Sequence, residues 1–177
     1  MDTSPLGSPD PRIDELLLAL GQAVYAGQVL EETMVEVISV TMELVEGTGT
    51  GEQFSISLEK FSKRTLGQVV LSLRQVAELP VEDDQVLSEA LDARNFVIHK
   101  FSGHVGDIFQ PGADLSAHRN TLHDKCKVIL KGTSVATELH ECVVRLHTEK
   151  ASAAALKLRA VANELRELLM PDDSTKH

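Results

Sequence analysis

Leu115, Leu122, Ile129, Ala136 and Val143 recur at seven-residue intervals in a stretch that holds no proline and one glycine up to Lys150. Such spacing marks the buried seam of a helix, and at about 1.5 Å per residue this one exceeds 50 Å. A second stretch is as long. Asp10-Pro11 starts it, with a capping oxygen followed by proline at the first helical position. Its stripe of Ile13, Leu17, Leu20, Val24, Val35, Ile38 and Met42 runs toward Glu46. With five Phe, one Tyr and no Trp, the core must be aliphatic. That suits packed helices better than a sandwich or barrel.

Residues 1–10 read as a tail that does not pack, and Gly47 to Gly51 as a helix connector. This Gly-rich stretch lacks the Gly-Lys-Ser/Thr ending of a phosphate-binding loop, and no strand precedes it. Ser57 to about Glu78 forms a second helical region, interrupted near Thr65 and stopped at Leu79-Pro80. Glu82, Asp83 and Asp84 supply the acidic first turn of a third helix reaching about Ser102. Gly103 to Gly112 is a loop, and a fourth helix runs from Asp114 to about Lys150. Residues 151–170 are strongly helix-forming and either continue that helix or fold back; the tail after Pro171 frays.

The expected fold is therefore all-α: an antiparallel helical bundle of four main helices, two long and two short, plus a C-terminal helical segment. Residues 11–150 form the bundle and 151–177 the C-terminal extension and tail. Two short helices cannot cover both long ones along their length, which predicts a homodimer.

The formal net charge is −10. This weighs against broad binding to duplex nucleic acid, which depends on many cation–phosphate contacts, but leaves room for one local RNA site. No apolar run reaches the ~20 residues that span a bilayer, and an acidic residue, Asp2, stands where a signal peptide would be basic. A cytoplasmic protein without membrane contact is expected. Cys126 and Cys142, sixteen residues apart on one helix, lie roughly 24 Å from each other, which forbids a disulfide within the chain. His118, His123, His140 and His147 lack the i, i+4 spacing of a helical metal site, so neither metal nor cofactor is expected. His104 lies just past the third helix, near enough to approach a site there. Lys60, Lys63 and Arg64 form the densest basic group, either a guide for an RNA backbone or a solvated face.

The third helix carries the most informative feature. Val86, Leu87, Ala90, Leu91, Val97, Ile98 and Phe101 build its apolar face, and Arg94 falls at the centre of that arc. A guanidinium there needs partners. Asn95 and His99, four apart, sit at the edge of the same stripe. On the first helix, Glu31 occupies the middle of the apolar stripe, so Glu31 and Arg94 are predicted to pair. An arginine held that way is either purely architectural or pre-organised for a ligand.

The segment from Leu87 to Phe101, with Arg94, Asn95 and His99, resembles the HEPN superfamily (higher eukaryote and prokaryote nucleotide-binding). Its signature is an Arg followed after four to six residues by His, often with a polar residue directly after the Arg. The resemblance covers about six residues and looks like a bacterial branch. It implies a metal-independent endoribonuclease, or an inactive RNA- or nucleotide-binding relative, whose Arg–His motifs meet across a homodimer. His99 would move the protons, Arg94 would stabilise the phosphate charge, and Asn95 would orient one of them. Toxin members silenced by nucleotidylation carry Tyr two residues after the His. Phe101 stands there, so that control is chemically excluded at this residue. The alternative reading is a non-catalytic interaction module with a regulatory role and a protein partner such as an antitoxin. A DNA-binding regulator lacks a visible basic recognition helix.

Overall fold

The computed structural model describes residues 10–46, 51–104, 108 and 113–169. The expected N-terminal tail up to Pro9, most of the Gly-rich connector, residues 105–107 and 109–112 of the expected loop, and the segment after Leu169 lie outside it. Among the described residues the chain is all-α, with no strand. The α-helices are α1 (Pro11–Glu46), α2 (Glu52–Phe61), α3 (Leu66–Val76), α4 (Val81–Asn95) and α5 (Leu115–Leu169). A π turn over Phe96–Lys100 and a 3-10 turn over Phe101–His104 extend α4. None of these helices is long and apolar enough to cross a membrane.

The second helical region is two helices, because Thr65 starts a new one. Its hydroxyl accepts from the Gln68 N–H at 3.4 Å, while the Gln68 side chain accepts from the Thr65 N–H at 3.1 Å. This reciprocal capping box satisfies two N–H groups that the start of α3 would leave without partners. Five main helices among the described residues, rather than four, change the topology. Successive helices alternate in direction: Glu43 meets Phe54 across α1–α2, Arg74 meets Asp84 across α3–α4, and Phe96 meets Lys125 across α4–α5. The first and fifth therefore run parallel. Glu15 pairs with Arg119, Glu36 lies 3.9 Å from His140, and Lys150 donates to the Leu44 carbonyl at 2.5 Å. The expected antiparallel order thus fails for the two long helices.

The core lies between α1, α4 and α5. Leu122, Ile129 and Ala136 of the seven-residue seam are fully buried, against Leu30, Met34 and Ile38 of α1 in one cluster. Ser39 and Thr41, buried on α1, turn their hydroxyls back to the Val35 and Val37 carbonyls at 2.7 Å each, so neither is left unsatisfied.

α2 begins at Glu52, earlier than the sequence suggests, because its cap comes from another helix. Glu43 on α1, only 3% exposed, accepts from the Gly51 N–H at 3.2 Å and the Phe54 N–H at 2.9 Å. A carboxylate there satisfies first-turn donors and faces the positive end of the helix dipole. Glu43→Ala is expected to lower unfolding stability by about 2–3 kcal/mol, and Glu43→Gln by less, as read by urea denaturation.

Residues 151–169 continue α5 without a break. The boundary at 150 is where α1 ends beside it, not where the helix ends.

Candidate functional site

Arg94 sits at the C-terminal end of α4 with its side chain 17% exposed. The buried line of α4 runs through Leu87, Ala90 and Ala93, then Val97 and Phe101 beyond it. Arg94 lies about 40° around the axis from Ala90, the middle of that line, so it stands to one side of the apolar arc rather than at its centre. Its Nη2 donates to Glu31 Oε2 at 2.7 Å, so the predicted pair forms. Its Nη1 donates to Asn95 Oδ1 at 3.3 Å. The stem needs room as well. A Cβ added at Gly27 of α1 would stand 3.0 Å from Arg94 Cγ. A glycine in the interior of a long helix is the sequence signal that could have revealed this close approach.

His99 is brought toward Arg94 by a change in helical winding. Five α-helical steps would leave the two residues about 140° apart around the axis. Between them the hydrogen bonding lengthens, with the Phe101 N–H bonding to the Phe96 carbonyl five residues back. A wider turn advances less than about 100° per residue and so narrows that angle. The winding changes where Phe96, Val97 and Ile98 follow one another, a run whose aromatic and β-branched side chains weaken α-helix.

The result is a cavity of about 320 Å³ lined by Thr65, Leu66, Gly67, Arg94, Asn95, His99 and Lys100. His99 is exposed there, so all three expected site residues share one opening. The first turn of α3 forms the opposite wall, and first-turn N–H groups have no intrahelical acceptor. Guanidinium, imidazole, ammonium and helix N-terminus together suit an anion. Thr65, Gly67 and Lys100 were not singled out in the sequence; the Thr65 interruption was the available clue.

Other expectations resolve differently. Lys63 pairs with Glu59 at 2.8 Å, and Arg64 lies over the Phe61 ring while donating to Ser72 Oγ at 3.1 Å. Lys60 also lies near that ring, so the basic trio is engaged locally on and beside α2. Among the described residues no His, Cys, Asp and Glu cluster could hold a metal. His118 packs edge-on to Phe101, with ring centres 6.2 Å apart. The side chain of His104 is outside the description. Cys126 and Cys142 are unpaired thiols, and burial raises the pKa of Cys126. On the far side of Glu31, a cavity of about 560 Å³ is lined by Gln28, Glu31, Glu32, Val35, Glu36, Leu58 and Ser62. Three carboxylates make it a poor seat for a phosphate.

No known protein family, no curated protein and no solved structure matches the chain.

Proposed function

We propose that this chain is a HEPN-like, metal-independent endoribonuclease whose site is the cavity between α3 and the end of α4. The observation that carries the reading is the shared cavity of Arg94, Asn95 and an exposed His99, made by the π turn. RNA supplies its own nucleophile. The 2′-oxygen attacks phosphorus, its proton passes to an imidazole, and the P–O5′ bond breaks as that oxygen takes a proton. The products are a 2′,3′-cyclic phosphate and a 5′-hydroxyl. His99 is the proton-transfer group, since an imidazole can both take and give a proton. Arg94 faces the phosphate oxygens with a guanidinium already oriented by Glu31 and Asn95, so little reorganisation is left for the reaction. A homodimer that brings two motifs together would supply one imidazole as base and the other as acid.

Wild type incubated with single-stranded RNA in EDTA is expected to yield cyclic-phosphate ends. His99→Ala, with an unchanged circular dichroism spectrum, is expected to yield none. Equal background from both removes the enzyme reading.

The Glu31–Arg94 pair favours a second reading, a non-catalytic RNA- or nucleotide-binding module with a regulatory protein partner. Under it, RNA binds and Arg94→Ala weakens binding, but no cyclic phosphate forms.

A further inference from the structure

The side of α5 that packs on α1 and α4 does not end where those helices end. At 100° per residue, Leu115, Leu122, Ile129, Ala136 and Val143 fall within an arc of about 80°, and positions 151, 154, 158, 161, 165 and 168 fall within about 20° of it. One apolar stripe therefore runs the length of α5. Its cover stops with α1, whose Leu44 carbonyl is level with Lys150. From Ala151 to Ala162 every residue is exposed, Leu158 at 72% and Val161 at 52%, while the backbone stays helical to Leu169. A stripe that is core in one half of the helix is bare from Ala151 to Ala162.

Two features of the sequence register say what fits it. The first is size. The stripe reads Ala151, Ala154, Leu158, Val161, Leu165, Leu168, small at one end and large at the other. Laid antiparallel on a second copy, 151 faces 168, 154 faces 165, and 158 faces 161. Each layer then holds a similar volume, which close packing favours. A parallel pair would stack alanine on alanine at one end and leucine on leucine at the other. The second feature is charge. Lys157 and Glu164 precede 158 and 165 on the same flank. Antiparallel pairing sets Lys157 of each copy beside Glu164 of the other, whereas a parallel pair sets Lys157 beside Ala162.

We propose that residues 151–168 are a dimerisation arm that pairs antiparallel with the same segment of a second copy of this chain. The contact lies about 45 Å along α5 from the level of Arg94, so it neither needs nor completes the Arg94–His99 cavity. Any pairing of two such cavities uses another face of the protein.

Sedimentation of the full chain at tens of micromolar is the test, with RNA cleavage measured alongside. Leu158→Asp is expected to halve the mass of the assembly. Helix content and melting of the body should not change, because Leu158 touches nothing in it. Lys157→Glu and Glu164→Lys are each expected to weaken association about fivefold, and the two together to restore it. A monomeric wild type, or an unchanged mass for Leu158→Asp, overturns the arm. Single charge changes without effect, or a double change without recovery, overturn the antiparallel register. Cleavage that persists in Leu158→Asp at half the mass is the expected result, because the arm lies apart from the cavity.

Discussion

Arg94→Ala is expected to lower RNA cleavage by about two to three orders of magnitude while lowering folding stability by only about 1–3 kcal/mol. The activity loss follows from removing fixed donors from the place where phosphate charge develops. The stability loss follows from the partner left behind: Glu31 keeps its carboxylate without the 2.7 Å contact, at 28% side-chain exposure. Partial exposure lets water replace part of what is lost. Arg94→Lys is expected to recover the stability but little of the activity, since an ammonium cannot hold Glu31 and Asn95 and face a phosphate at once. Glu31→Gln should retain activity, because the guanidinium keeps a neutral acceptor. An arginine serving architecture alone would leave cleavage in Arg94→Ala at the wild-type level once the fraction folded is accounted for. Cleavage and thermal melting on one preparation separate the two.

Gly132→Ala is expected to destabilise the protein by about 2–3 kcal/mol, a fall in Tm of roughly 5 °C or more. The added Cβ would stand 2.3 Å from the Ala90 Cβ, where α4 crosses α5. Carbon atoms at rest prefer about 3.5–4.0 Å, and neither methyl can rotate away, so the backbones must part. Alanine gains about 1 kcal/mol of helix propensity over glycine, which does not offset this. Ala90→Gly in the Gly132→Ala background removes the clash and is expected to return part of the loss, giving a favourable coupling in the double-mutant cycle. Gly67→Ala is the control. Its Cβ would meet only Leu91 methyls at 3.8 and 4.0 Å, so stability should hold or rise.

The sequence was most legible where a local pattern meets a local cause. Asp10-Pro11 marked the start of α1, and the seven-residue repeat identified Leu122, Ile129 and Ala136 as core. Two charges lying in two apolar stripes were enough to pair Glu31 with Arg94, because a long-range partner was physically required. Direction was not legible. Periodicity tells which face of a helix is buried but not which way its neighbour runs, so the parallel α1–α5 pair came only with the split at Thr65. The start of α2 escaped because its cap, Glu43, belongs to a different helix. The π turn escaped because a helix can widen its hydrogen bonding without changing which residues are apolar. Yet it is the π turn, not the spacing alone, that brings His99 toward Arg94.

The most direct test is nuclear magnetic resonance of the labelled protein titrated with a 2′-O-methyl RNA oligonucleotide, which can bind but lacks the attacking hydroxyl. The account predicts that the His99 ring and the Arg94 guanidinium resonances shift together, with one Kd, and that Lys100 and the first turn of α3 respond with them. Saturating RNA that leaves His99 and Arg94 unmoved would contradict it.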